Sequence, residues 1–147
     1  MIYAIIRGAG KTLENSLASF IPSVEGFSST PYWDVNRYSW GYGTAAPGST
    51  GTITRDKAFS DMLSHLMADY STLSKEVTRS LNINQWTALL SFSYNLGVGN
   101  ADNLLPNINA GNDAALQYQW NQYIHAGGQV NSNLVTRRQK EWALWVS

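Results

Sequence analysis

A glutamate and an aspartate nine residues apart have the clearest chemical potential in this chain. Glu25 ends an apolar stretch with helical spacing, and Asp34 follows in an aromatic-rich run typical of a strand. Two carboxyl groups on separate elements can face each other across a cleft. One can then protonate a leaving oxygen while the other handles a water molecule, which is the chemistry of glycoside hydrolysis.

The element that precedes the pair predicts the environment of the glutamate. Apolar residues recur at helical spacing over residues 12–24, and Gly26 can end that helix. Glu25 would then lie at the negative end of the helix dipole, which disfavours the ionised carboxylate and raises its pKa. A general acid requires a shift in this direction, because it must still hold its proton when the substrate binds.

The next segment predicts a small sheet and a long helix. Residues 32–54 are rich in Tyr, Trp, Thr and Gly, which is typical of two or three short antiparallel strands. Thr54 can cap a long helix over about residues 56–80.

The second half of the chain predicts further helices. Asn82 and Gln85 form a capping-box pattern before a largely apolar helix that ends at Gly97. The remaining predicted helices lie around Asn103–Ala110, from Asn112 through Trp120 to Ala126 with Gly127-Gly128 as the stop, and over Leu134–Val146.

These elements predict a mostly helical α+β fold in one domain, residues 1–147. We expect an N-terminal extension at 1–11, a small lobe with a short antiparallel sheet at about 12–55, a connecting helix at about 56–80 and a helical lobe at about 81–147. A cleft between two lobes is a natural ligand site. The carboxyl pair is expected to face that cleft.

The composition argues against several kinds of function. There is no cysteine, and the two histidines, His65 and His125, are far apart, so neither a disulfide nor a metal site is expected. Ten basic and ten acidic residues give a formal net charge of +0 without a basic run, so a nucleic-acid partner is not expected either.

The apolar runs are too short to predict a membrane-spanning helix, which needs roughly 20 apolar residues. Residues 1–10 lack the charge order of a signal peptide and are interpreted as a short strand or a loosely held extension. We expect a monomer without stable membrane insertion, because no long apolar face is left unpaired.

Four stretches occur in the order found in one known family. They are Glu25-Gly26-Phe27 with Tyr32 and Asp34, Trp40–Thr44 ahead of Ile53–Ala58, Leu81–Trp86 through Ala88–Gly97, and Ala126–Gly128 followed by Leu134–Glu141. Together they resemble the phage-type lysozymes, or endolysins, of glycoside hydrolase family 24. The resemblance implies a lysozyme-like fold with its active-site cleft between the lobes.

The resemblance also implies an activity and its catalytic residues. The expected reaction is hydrolysis of the β-1,4 bond between N-acetylmuramic acid and N-acetylglucosamine in bacterial peptidoglycan, with inversion and without a cofactor. Glu25 would be the general acid, and Asp34 with Ser39 would position the water. Anchored on Gly41 and Gly43, the family pattern has threonine where this chain has Ser39.

Serine keeps the hydroxyl group but lacks the methyl group that restricts the rotamer, so Thr44 is an alternative for holding the water. Arg137, in preference to Arg138, is expected near Glu25, where a guanidinium would lower the carboxyl pKa. Candidate substrate contacts, each with core packing, turn geometry or a solvated surface as the alternative, are Tyr32, Gly41, Tyr42, Gly43, Thr44 and Arg137.

Several functions remain open at this point. The leading expectation is an endolysin-type muramidase, held in the host bacterial cytoplasm until a holin releases it to the periplasm and cell wall. A virion-associated lysozyme is the main variant. The departure at Ser39 leaves a catalytically impaired peptidoglycan-binding protein as an alternative, and an enzyme acting on chitin or chitosan is another.

Overall fold

The computed structural model describes residues 7–8 and 11–147, and the interpretation of residues 1–6 and 9–10 lies outside them. Strand β1 (Arg7–Gly8) pairs antiparallel with β2 (Lys11–Thr12), directly before the first helix. None of the helices in the described part of the chain is both long and apolar enough to cross a bilayer.

Helix α1 (Leu13–Glu25) carries the candidate general acid at its last position. It begins where the Thr12 hydroxyl accepts a hydrogen bond from the Asn15 amide, at 3.2 Å. It ends at Gly26, whose φ of 71° suits glycine and whose amide donates to the Pro22 carbonyl. The predicted helix and its stop are therefore confirmed.

A three-stranded antiparallel sheet in the order β3-β4-β5 follows, and confirms the predicted sheet. Its strands are β3 (Ser28–Asp34), β4 (Arg37–Gly41) and β5 (Thr44–Ala45). Tyr32 pairs with Ser39 and Asp34 pairs with Arg37, so this register brings the end of β3 beside β4.

Helix α2 (Arg55–Leu73) starts as predicted, with the Thr54 hydroxyl accepting from the Lys57 amide at 3.2 Å. The predicted end near residue 80 was wrong. Beyond Leu73 the Glu76 and Val77 amides both donate to the Leu73 carbonyl, and the Thr78 amide donates to the Asn109 side chain at 2.9 Å. Val77 still packs against the core from this turn, which explains why the apolar pattern extended beyond the helix.

The helical lobe is built around α3 (Ile83–Leu96). Its start is the predicted capping box between Asn82 and Gln85, and Gly97 caps its end. Helix α3 packs against α1, α2 and the last helix. The other helices of the lobe are α4 (Val98–Asp102), α5 (Leu105–Ala110), α6 (Asp113–Trp120) and α7 (Ser132–Trp145).

The prediction that one helix runs to Ala126 was wrong. Helix α6 ends at Trp120, and β6 (His125–Ala126) pairs antiparallel with β7 (Gln129–Val130). Gly127 and Gly128 both have positive φ, at 59° and 79°, as the two-residue turn of a β-hairpin requires. The Gly-Gly pair is thus a hairpin turn and not a helix stop.

Replacing Gly41 with alanine should destabilise the fold, because the new methyl group would meet α2. Gly41 has a φ of +60°, and a Cβ there would lie 2.8 Å from the Cβ of Ala58. Left-handed strain and overpacking each cost about 1–3 kcal/mol, so urea denaturation should show a loss of at least about 2 kcal/mol in the free energy of unfolding. Gly48→Ala is the matched control, since a Cβ there meets nothing within 4 Å. Equal losses in both variants would contradict the packing explanation.

Candidate active site

A cleft of about 190 Å³ lies where the end of α1 meets the three-stranded sheet. Its lining residues are Glu25, Gly26, Phe27, Ser28, Tyr32 and Gly41. Burial and the nearby charges of Asp34 and Glu25 raise the pKa of the Tyr32 hydroxyl. Tyr32 lines the cleft together with Glu25 and lies two residues before Asp34 on β3.

Glu25 is largely enclosed, with 16% of its side chain exposed. Arg137 donates from Nη1 to Glu25 Oε2 at 2.5 Å. On the other side, Gly43 leaves room for the carboxyl group, since a Cβ at this glycine would lie 2.8 Å from Glu25 Oε1. The carboxyl group is therefore held between a guanidinium and the backbone of a glycine.

The pKa of Glu25 is raised above its ordinary value, chiefly because burial disfavours the charged form. The positive charge of Arg137 and its hydrogen bond act in the opposite direction, while the charges of Asp34 and Glu141 add to the increase. The direction agrees with the expectation from the helix end, but its main cause is enclosure by the folded chain.

Arg137 is held in place by a buried polar cluster. Only 7% of its side chain is exposed. It donates to Glu141 Oε2 at 3.3 Å and to the Ser91 carbonyl at 3.1 Å. Glu141 is fully buried and also pairs with Arg138 at 2.8 Å. The preference for Arg137 over Arg138 as the neighbour of Glu25 is confirmed, because Arg138 instead donates to the Asn95 side chain.

The structure brings Asp34 and Ser39 together. The fully buried Ser39 hydroxyl donates to Asp34 Oδ2 at 3.3 Å, and Arg37 Nε donates to Ser39 Oγ at 3.3 Å. Arg37 also donates to the Gly43 carbonyl at 3.1 Å. One oxygen of Asp34 is thus oriented by a hydroxyl group that a cation polarises.

The other candidate contacts have different surroundings. Tyr32 is 40% exposed and lines the cleft, whereas Tyr42 is only 8% exposed and its ring packs on Phe27, with the centroids 5.4 Å apart. The Thr44 hydroxyl oxygen is buried and has no hydrogen-bond partner among the described residues. Gly41 borders the cleft with its backbone packed on α2.

Sequence reasoning missed three residues that position this site. Arg37 carried a signal, because residues two apart on a strand point to the same face and it lies two positions before Ser39. Glu141 could also have been predicted from the sequence, because it lies one helical turn beyond Arg137. Ser91 carried no such signal, because its contact with Arg137 joins segments 46 residues apart.

The Glu25 carboxyl group should titrate above 4.5, its ordinary pKa. Because the folded protein holds this proton more tightly than the unfolded chain, the stabilising contribution of Glu25 is complete below that pH. It is lost as the pH rises through the folded-state pKa. Carbon-13 NMR of the carboxyl group measures the midpoint, and Glu25→Gln should remove both the signal and this part of the pH dependence. A midpoint at or below 4.5 would contradict the dominance of burial.

Comparison with known proteins agrees with this architecture. Residues 22–141 match the family model described as phage lysozyme. An endolysin of Bacillus phage PZA is 32% identical over 136 residues, covering 88% of this chain and 53% of the relative. A SAR-endolysin of Escherichia phage Mu is 30% identical over 146 residues, covering 94% of this chain and 82% of the relative. The chain therefore spans about half the length of the Bacillus phage relative.

Solved structures show the same fold. An endolysin from Escherichia coli O157:H7 phage FAHEc1 superposes with a TM-score of 0.81 at 22% identity, covering 97% of both chains. The muramidase domain of SpmX from Asticaccaulis excentricus has a TM-score of 0.80 at 23% identity, covering 90% of this chain and 95% of that domain. The predicted lysozyme-like α+β fold is confirmed. Since the family model spans most of the chain and the fold agrees, the chain belongs to the phage lysozyme family.

Proposed function

We propose that this chain is an endolysin-type muramidase that hydrolyses the β-1,4 bond between N-acetylmuramic acid and N-acetylglucosamine in bacterial peptidoglycan. The observation that carries the proposal is Glu25, an enclosed carboxyl group with a raised pKa at the edge of a cleft. Membership of the phage lysozyme family supports it. Family relatives named as endolysins support the same substrate class.

Glu25 acts as the general acid. A carboxyl group whose pKa is raised by burial retains its proton nearer to neutral pH, and can give it to the glycosidic oxygen as the bond breaks. The carboxylate that remains is stabilised by Arg137, which already donates to Oε2. Arg137 thus supports the charge that develops on Glu25 during the reaction.

Asp34, oriented by Ser39, positions and activates the water. The serine hydroxyl donates to Oδ2 of Asp34, which leaves Oδ1 free to accept a proton from water. Attack on the sugar face opposite the leaving group gives inversion, as in glycosidases that use two carboxyl groups this way. Serine serves here in place of the family threonine because the role requires only the hydroxyl group.

The rest of the cleft binds the glycan. Tyr32 offers an exposed ring and hydroxyl in the cleft, and Gly41 borders the cleft with its main chain. Gly43 contributes through the Glu25 carboxyl group, for which it leaves room. Thr44 offers a buried hydroxyl, and Arg137 contacts the cleft through Glu25. Because the Tyr42 ring lies in the core, its part in substrate binding would fall to its main chain.

The cellular setting follows from the same proposal. We propose that residues 1–147 form one domain, with the small lobe, connecting helix and helical lobe described above, and that it acts as a monomer without a cofactor. It reaches the wall of the host bacterium after holin-dependent release from the cytoplasm. Detection of the protein in purified phage particles would instead favour the virion-associated variant.

Glu25→Gln should abolish clearing of a suspension of purified Gram-negative peptidoglycan, because the amide group of glutamine is not acidic enough to protonate the leaving oxygen. Glu14→Gln, on the same helix, is the matched control and should clear the suspension like the wild type. Product analysis then identifies the bond. Full activity of a folded Glu25→Gln variant would refute the assignment of the general acid. No clearing by folded wild type would favour a wall-binding protein or another polysaccharide substrate.

Ser39→Ala should slow cleavage roughly 10- to 100-fold by removing the hydroxyl that orients Asp34. Ser49→Ala, in an exposed loop, is the matched control. Steady-state rates on soluble glycan fragments provide the measurement, with Thr44→Val tested in parallel. An unchanged rate in Ser39→Ala together with a slow Thr44→Val would transfer the water-holding role to Thr44.

A further inference from the structure

A second cavity, here called the back-face pocket, lies between α6, the turn that follows it and α7. Its volume is about 430 Å³, within the range of roughly 300–1,000 Å³ typical of ligand pockets. Gln117 lies on α6, Asn121 and Ile124 lie on the turn, and Val135, Gln139 and Trp142 lie on α7. The pocket exists because α6 ends at Trp120 and the turn forms its wall.

The back-face pocket and the cleft lie on opposite sides of α7. Consecutive helical residues are rotated by about 100°, so Gln139 points about 200° away from Arg137. Val135 and Trp142 share the face of Gln139, whereas Glu141 shares the face of Arg137. A ligand in the pocket therefore leaves the cleft free.

The polar groups of the pocket are carboxamides with unused hydrogen-bonding capacity. Gln117 and Gln139 are exposed, and in the part of the chain that the structure describes their side chains make no hydrogen bond to the protein. Asn121 donates to the Gln117 carbonyl at 2.9 Å, which leaves its side-chain oxygen free to accept. Carboxamides offer both donors and acceptors without charge. The residues that line the pocket include none that ionises.

The apolar part of the pocket is an aromatic ring beside aliphatic side chains. Trp142 is half-buried, with its ring stacked on Trp145 at an interplanar angle of 14° and edge-on to Trp120 at 5.9 Å. These contacts hold the indole rigidly, so little conformational entropy is lost when a ligand packs on it. Ile124 and Val135 provide a surface that suits a methyl group.

We infer that the back-face pocket binds an N-acetylated amino-sugar unit of a glycan strand. The flat apolar face of a sugar ring can pack on Trp142, and its acetamido group can exchange hydrogen bonds with Gln139 or Gln117 while its methyl group meets Ile124. The neutral lining disfavours a phosphate, a carboxylate or a cation. That this amino sugar belongs to the glycan of the bacterial wall rests on the proposed function.

The overall charge of the protein explains why a second glycan-binding site would be useful. With a formal net charge of +0, the protein has little long-range attraction to an anionic wall. Retention must then come from short-range contacts. Once the cleft holds a glycan strand, the back-face pocket meets the same wall at a high effective concentration. The protein then dissociates more slowly from the insoluble wall, although the affinity of the cleft itself is unchanged.

The first test is a binding experiment in the Glu25→Gln background, where no cleavage competes. Titration with the tetramer of N-acetylglucosamine, followed by NMR, should shift the Trp142 indole and Gln139 side-chain signals as well as the signals of Tyr32 in the cleft. NMR shifts confined to the cleft would show that the back-face pocket does not bind this glycan, and would leave the proposed function intact. Equal shifts at the pocket with the deacetylated glucosamine tetramer would overturn the acetamido assignment.

The second test separates wall retention from catalysis. Ala143→Trp, at the pocket rim, and Gln139→Ala should each reduce retention on insoluble peptidoglycan about tenfold or more. Their turnover of soluble fragments should stay at the wild-type rate. Gln129→Ala, an exposed glutamine on β7, is the matched control. Unchanged retention in both pocket variants would overturn the inference. Pocket shifts in a wild-type protein that cleaves no glycan would refute the proposed function alone.

Discussion

The ion pair between Arg137 and Glu25 joins residues 112 positions apart, and the architecture of the site depends on it. Arg137 has only 7% of its side chain exposed, and a buried cation is tolerated only when its charge and its donors are paired. Glu141 and Ser91 complete that pairing. The last helix is therefore tied to the end of α1, with the guanidinium directed at one carboxyl oxygen.

The same ion pair opposes the effect of burial on the pKa of Glu25. Enclosure raises the pKa, and the guanidinium lowers it. Without Arg137 the pKa of the carboxyl group would be higher still, and without burial it would be lower. The sheet contributes to the enclosure, because the backbone of Gly43 lies against Glu25 and the Tyr94 hydroxyl donates to the Tyr42 carbonyl at 2.7 Å. Helical lobe and sheet thus hold the acid from two sides.

Helix α7 serves two surfaces. One face carries Arg137 and Glu141 in the buried cluster behind the cleft, and the other carries Gln139 and Trp142 in the back-face pocket. The Trp142 ring packs on Trp120 and Trp145, so this part of the pocket wall is continuous with the aromatic core. Since α7 also packs on α3, a single well-supported element positions both.

Local signals predicted much of this molecule. Thr54, the Asn82–Gln85 box and Gly97 marked helix ends because caps act within a few residues. The spacing of Glu25 and Asp34, and the resemblance built on it, placed the acids correctly on their helix and strand. The helix end at Leu73 was misread because Val77 continues the apolar pattern from the turn beyond it, where the Thr78 amide donates to the Asn109 side chain. The hairpin at Gly127 was misread because glycine is typical both of a helix stop and of a two-residue hairpin turn, and the pairing of His125 with Val130 distinguishes them.

By itself, then, the sequence determined most of the helices, the sheet that carries Asp34, the family and the candidate residues, since periodicity, capping and motif order are properties of neighbouring positions. Only the tertiary structure decided that Glu141 and Ser91 hold Arg137 beside Glu25, that burial is the chief cause of the raised pKa of Glu25, and that Tyr42 faces the core. It also decided that Ser39 donates to Asp34. Desolvation and long-range pairing depend on how distant segments pack, and packing exists only in the folded chain.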